Sequence, residues 1–380
     1  MTQPTESAVC IDRRDIENVF ASLQGRGYTL VGPSLREGAI GYEPLESVQD
    51  LPIGWTDEQE AGVYRVKKRD DKALFGYNLG PHSWKKFLFP PRKRLWHGKR
   101  TGDGGFESCE ETAPPPRYAF IGVRACELRA IQIQDRVFLG GAHQDPTYAD
   151  RRANCFILAV NCGQAASTCF CVSMETGPEA GEGYDIALTE IIEGDLHYFL
   201  ARAGTEKGRE ILRETPSRRA EESDLQLAAD RVNQARRQMK RSMDPVDLKE
   251  LLYRNYESPR WAELENRCLA CANCTMVCPT CFCSKVEDVT DLTGDHAERW
   301  QTWDSCFTLD FSRLHGGGVR QTVRSRYRQW LTHKLGTWHD QFGSSGCVGC
   351  GRCVTWCPVG IDLTAEVCAL RKEEKGDDHG

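Results

Sequence analysis

The sequence predicts an α+β protein in two parts, an α/β domain over residues 1–240 followed by an α-helical domain over 241–380. Three observations predict it. Two apolar runs of strand length, "YAFIGV" from Tyr118 and "CFILAV" from Cys155, bracket the helix-period stretch "ACELRAIQIQDRVFLGG", which is a β-α-β rhythm. From about residue 206 the pattern turns helical. Asp244-Pro245 and Ser258-Pro259 each read as an N-cap followed by proline at the first helical position.

Taken in order, "DIENVFASLQGRGYTLVGP" reads as a helix ending at Gly25 or Gly27 and then a strand. "AGVYRVKKRDDKALFGYNLGP" alternates like strands of a meander. Residues 98–117 are rich in Gly, Glu and Pro and read as an exposed loop. The β-α-β unit follows, with no GxGxxG after either strand and no GxxxxGK[ST] anywhere. No nucleotide-binding signature is present, so flavin or NAD(P) is expected on another chain. "AEESDLQLAADRVNQARRQMKRS" reads as a polar-faced helix that closes the first part near residue 240.

The second part holds two runs of one pattern, C-x2-C-x2-C-x3-C-P. One is Cys268, Cys271, Cys274, Cys278 and Pro279; the other is Cys347, Cys350, Cys353, Cys357 and Pro358. This is the run of [4Fe–4S] clusters in two-cluster ferredoxins. Two-residue gaps let a tight loop wrap three thiolates around one face of a cluster. The fourth cysteine lies a helical turn further on and reaches the other cluster. The expected sets are Cys268, Cys271, Cys274 with Cys357, and Cys347, Cys350, Cys353 with Cys278. Four-thiolate zinc uses CxxC pairs across a long gap and lacks the third closely spaced cysteine. Clusters held by four thiolates leave no open iron, so the expected task is one-electron transfer. The wide separation of the motifs marks an insertion at about 284–342 in the helical domain.

Length and charge agree with this task. A chain of 380 residues has room for two or three domains. Its 19 cysteines are an odd number, against a fully paired disulfide framework. "MTQPTESAVC" has no charged-then-apolar signal, and the longest apolar run is too short for a bilayer. A reducing cytoplasm is expected, where thiols stay free for metal. A net charge of −6 does not suggest a nucleic-acid binder. The local basic run with Arg320, Arg324, Arg326 and Arg328 reads as a solvated helix face, with an acidic docking partner or a nearby anionic cluster as the alternatives.

Eleven cysteines remain outside the motifs. Cys126 and Cys162 each follow a predicted strand, and parallel strands would deliver both to one sheet edge, with Cys169 and Cys171 on the loop beyond. Two readings stay open for these four: ligands of a third iron–sulfur cluster, or buried free cysteines that pack as small hydrophobes. The packing reading is taken for Cys10, Cys109, Cys155 and Cys368. For Cys281, Cys283 and Cys306 packing around the clusters is expected, with a further metal site as the alternative. Phe282, Trp300, Trp303 and Trp356 are expected as core that keeps water from the clusters. His333 and His339 are read as structural. No nucleophile–base arrangement and no HExxH occurs, so no catalytic residue is assigned.

Several long strings resemble one family: "GVRACELRAIQIQDRVFLGG", "NCGQAASTCFCVSMETGP", "CLACANCTMVCPTCFC", "WDSCFTLDFSRLHGGG" and "RYRQWLTHKLGTWHDQFGSSGCVGCGRCVTWCPVGIDLT". From about Gly76 onward the chain is similar to the β (iron–sulfur) subunit of cytoplasmic NAD(P)-linked [NiFe] hydrogenases, or sulfhydrogenases. It is similar, more distantly, to the corresponding iron–sulfur subunit of anaerobic sulfite reductase. The resemblance implies a non-catalytic electron-transfer subunit of an oxidoreductase complex. It also implies a diaphorase-type partner with FAD and a [2Fe–2S] cluster that exchanges hydride with NAD(P), and small and large hydrogenase subunits carrying further clusters and the NiFe centre. In the sulfite reductase version the last partner carries sirohaem.

Overall fold

The structure is a computed structural model that describes residues 8–109 and 114–377. Its strands, in chain order, are β1 (Val9–Asp12), β2 (Thr29–Arg36), β3 (Ala39–Pro44), β4 (Trp55–Glu60), β5 (Val63–Lys68), β6 (Arg92–Arg100) and β7 (Phe106–Ser108). They continue with β8 (Tyr118–Val123), β9 (Phe156–Val160), β10 (Ile186–Glu193), β11 (Leu196–Ala203), β12 (Arg218–Arg219), β13 (Ser284–Thr290), β14 (His296–Trp303), β15 (Arg313–Leu314) and β16 (Gly317–Gly318).

Eight of them form one sheet in the order β12-β1-β11-β10-β9-β8-β2-β3. The central pairs β10–β9, β9–β8 and β8–β2 are parallel, and the flanking pairs are antiparallel. β9 is buried along its whole length, as a parallel strand covered on both faces must be. Its side chains alternate between two cores: Phe156, Leu158 and Val160 pack with Leu23 and Phe199, while Ile157 and Ala159 pack with Trp84 and Phe120. Helix Ala125–Leu139 starts directly after β8, with the Arg124 N–H donating to Glu127 Oε2 at 3.3 Å. The expected β-α-β unit is therefore present, and it is parallel.

The helix read near the N-terminus is Ile16–Gly25, and it runs on into β2. The meander is only the hairpin β4–β5; from Asp70 the chain is irregular. The stretch expected as a loop over 98–117 is partly strand: it contains the end of β6 and all of β7, and residues 110–113 lie outside the described residues. Asp244 does not cap a helix: it accepts from the Val246 N–H in a local turn, and the helix begins at Leu248. Ser258 does open the helix Arg260–Arg267, accepting from the Arg260 N–H at 3.1 Å.

The second part is built on helices Leu248–Arg254, Arg260–Arg267, Val323–Thr332 and Leu363–Asp377 around Leu251, Trp261, Leu331 and Leu370. It is not helical throughout. The insertion opens with the hairpin β13–β14, and β14 pairs antiparallel with β6 of the first part in a four-stranded sheet, β13-β14-β6-β7. The chain is thus mixed α/β with a substantial share of sheet in both parts. Among the described residues no helix is long and apolar enough to cross a membrane.

Candidate metal centres

The first motif begins where helix Arg260–Arg267 stops. The Cys268 N–H closes the helix on the Leu264 carbonyl, and the chain then turns through left-handed backbone at Ala270 (φ 50°) and Ala272 (φ 67°). The Ala270 N–H donates to Cys268 Sγ at 3.4 Å. These turns bring Cys268, Cys271 and Cys274 onto one cavity, whose far wall is Cys353, Cys357, Tyr327 and Trp330. Burial, then the neighbouring Cys268, Cys271 and Cys357, push the Cys274 thiol well up.

The second motif repeats the local geometry. The Gly349 N–H donates to Cys347 Sγ at 3.4 Å, and Gly349 and Gly351 hold φ of 63° and 75°. Burial pushes the Cys347 thiol up to about 12; Lys334 opposes this, while Cys350 and Cys278 add to it. Cys278 sits on this side, with Lys334 Nζ 3.3 Å from its sulfur. Each motif's first three cysteines therefore lie with the fourth cysteine of the other.

Burying thiolates this densely is unfavourable without positive charge, and iron supplies it. The surroundings fit such a group. Arg326 Nε and Nη1, Tyr327 Oη, Trp330 Nε1, Trp356 Nε1 and Arg352 Nη1 are buried without a hydrogen-bond partner. A buried unpaired donor costs about 1–3 kcal/mol. Cluster sulfur is an acceptor for such donors, and Tyr327 and Trp330 already face the first cavity. Among the described residues no three His, Cys, Asp or Glu side chains are placed to hold a single metal ion. A cluster asks for something else, because its thiolates bind separate irons and stand apart.

Cys126, Cys162, Cys169 and Cys171 do come together. Cys126 lies in the first turn of helix Ala125–Leu139 and Cys162 just past β9, at one sheet edge. After burial, the largest influences raising the Cys171 thiol are Cys169, Cys162 and Cys350. This quartet therefore adjoins the second motif. Two residues not read from the sequence bind the two together. Arg352 donates to Glu127 Oε1 at 2.5 Å, with both side chains fully buried. Tyr42 Oη and Trp84 Nε1 donate to Glu127 Oε2 at 2.8 and 3.0 Å. The available signal was position: Glu127 follows Cys126, and Arg352 sits between Cys350 and Cys353.

The other expectations divide. Cys10 and Cys155 are buried and fit packing, whereas Cys109 and Cys368 are exposed. Cys281, Cys283 and Cys306 line a second cavity. Arg326 is buried at 6% exposure, and its charge opposes the burial that pushes the Cys268 thiol up, so that arginine is not on a solvated face. Trp300 does not pack at a motif: Arg92 lies 4.0 Å above its ring on the hairpin sheet. Trp303 packs against Phe89 and Lys85. His333 lines the second cavity and meets Gln341 at 3.0 Å.

Residues 267–361 match the family of the 4Fe-4S dicluster domain. The chain is 32% identical to Sulfhydrogenase 2 subunit beta of Pyrococcus furiosus over 281 residues, which is 73% of this chain and 79% of that protein. No solved structure matches.

Proposed function

Because the chain belongs to the family of sulfhydrogenase β subunits, we propose that it relays single electrons from one neighbour to another. One neighbour is a diaphorase-type partner that binds flavin and NAD(P); the others are the small and large subunits of a [NiFe] hydrogenase. The observation that carries the reading is the interleaving of the two motifs beside a cavity lined by the unpartnered buried donors Tyr327 and Trp330. Cys268, Cys271, Cys274 and Cys357 would hold one [4Fe–4S] cluster, and Cys347, Cys350, Cys353 and Cys278 the other. Cys126, Cys162, Cys169 and Cys171 are proposed as ligands of a third. When bound, such groups supply one-electron transfer without substrate chemistry.

The chain's own residues prepare these sites. Arg326, Tyr327 and Trp330 would donate to anionic sulfur at the first motif, and Arg352 at the second. Lys334, held by Thr280 Oγ1 and the Gly346 carbonyl at 3.1 and 3.2 Å, places a fixed positive charge beside Cys278. The division near residue 240 and a cytoplasmic location belong to the same reading. Anaerobic affinity purification from the host, with partners identified by mass spectrometry and assayed for hydrogen-dependent NAD(P) reduction, tests it. A [NiFe] large subunit with a flavoprotein is the expected result; a sirohaem protein without nickel, or a lone chain, would overturn it.

A further inference from the structure

Cys281, Cys283 and Cys306 belong to neither motif, yet all three line one cavity of about 320 Å³. Cys281 and Cys283 lead into β13, and extended chain puts residues two apart on the same side. The Cys283 carbonyl accepts from the Asp304 N–H at 2.9 Å, continuing the β13–β14 ladder by one step. Cys306 lies two residues past that step and lines the same cavity as Cys283, and its thiol and backbone N–H are the groups that most lower the Cys283 thiol. Cys306 is anchored by its neighbour Ser305, whose buried hydroxyl meets Thr275 Oγ1 at 2.7 Å. All three cysteines are half-buried, so they are within reach of a molecule in the cavity.

The wall beside the pair is positive. Lys334 and Arg320 line the same cavity, and no carboxylate does. The donated hydrogen bonds, then Lys334 and Lys85, hold the Cys283 thiol below its ordinary value, while the bond to Cys283 pushes Cys306 up. A thiolate with a hydrogen-bonded thiol beside it is the arrangement of an attacking and a resolving cysteine.

We propose that Cys283 and Cys306 are a redox-active dithiol and that the adjoining cavity takes a small anionic disulfide. Cys283 thiolate attacks one sulfur of the disulfide R–S–S–R, forming a Cys283–S–S–R bond and releasing RS⁻, which takes the Cys306 proton. Cys306 thiolate then attacks Cys283 Sγ, forming the Cys283–Cys306 disulfide and releasing the second RS⁻. The disulfide substrate gains two electrons and the cysteine pair loses two. Return to the thiolate–thiol pair takes two electrons, drawn from the low-potential one-electron carriers of the complex, and one proton from solvent. Only this return step rests on the relay reading above.

The test uses the full chain isolated anaerobically with its clusters. Oxidised glutathione is added, free thiols are alkylated and peptides are mapped by mass spectrometry. The expected results are a Cys283–Cys306 disulfide in the wild type, glutathione trapped on Cys283 in Cys306→Ser and in Cys306→Ala, and neither product in Cys283→Ser. Neutral bis(2-hydroxyethyl) disulfide should react more slowly by about tenfold or more. Both cysteines remaining alkylatable in the wild type would overturn the proposal. So would loss of iron and of a cluster EPR signal in Cys306→Ser, which would make these residues ligands. Equal rates for the neutral disulfide would remove the anionic substrate. EPR of the wild-type sample reports on the relay separately, and a disulfide that persists beside reduced clusters would overturn the return step.

Discussion

The two cysteine motifs share a spacing but not an environment. Around the first, Leu269 is 64% exposed and Cys271 and Asn273 face solvent. At the equivalent places in the second, Val348 is 2% and Arg352 1% exposed. The turn residues differ to match. Ala270 and Ala272 carry side chains in left-handed backbone, while Gly349 and Gly351 do not, because the Thr168–Cys171 backbone presses on them. A Cβ on Gly349 would lie 2.7 Å from the Cys171 backbone, and one on Gly351 2.5 Å from the Thr168 carbonyl. One ligand loop thus serves two purposes. The first stands open to solvent, and the second is fastened to the α/β part.

The difference can be broken most sharply at the fastening. Glu127→Ala should destabilise by about 3–5 kcal/mol, since it leaves the Arg352 guanidinium buried and unpaired. Asn273→Ala at the exposed equivalent of Arg352 should stay within about 0.5 kcal/mol. Denaturant midpoints of the two variants decide, and equal losses would erase the contrast. Gly351→Ala comes next, at about 1–3 kcal/mol from the left-handed backbone, with the close carbonyl adding to it. Ala272→Gly, where φ is 67°, should change stability by about 1 kcal/mol or less. Cys278→Ser sharpens the comparison in another way: reductive titration followed by EPR should show the second motif's signal lost and the first's kept. The smallest effect is expected from Arg326→Gln, which should lower the midpoint potential of the first motif's signal by removing a nearby buried charge. Arg328→Gln, whose guanidinium pairs with exposed Glu257 at 3.2 Å, should leave it in place.

What the sequence revealed follows from how local each signal is. The β8–helix–β9 unit was legible because each strand is a continuous apolar run between breaks. The motifs were legible because a ligand loop needs its cysteines close in the chain. The hairpin β13–β14 was not: "SKVEDVT" is mostly exposed and carries no buried alternating face. The pairing of β14 with β6 is set by a partner about two hundred residues earlier in the chain. Arg326 misled for a related reason. Its charge reads as solvent-facing, and only the packing of helix Val323–Thr332 against Arg260–Arg267 turns it toward Cys268. Glu127 and Arg352 were visible as residues beside cysteines, but their meeting is a tertiary event.

That meeting also has a date in the life of the chain. Glu127 and Arg352 are 225 residues apart, and at about 5–20 residues per second the ribosome takes on the order of 10–50 s to bring the second after the first. Until then a buried carboxylate waits without its guanidinium, and β6 waits for β14. Cys268 likewise waits for Cys357 to complete the set proposed here. Iron delivered to a nascent chain short of residue 353 would meet only part of the thiolate set of either motif. On the proposed sets, loading of the first motif would be a closing step, after translation has passed residue 357, and a chain truncated before it should lack that motif's cluster.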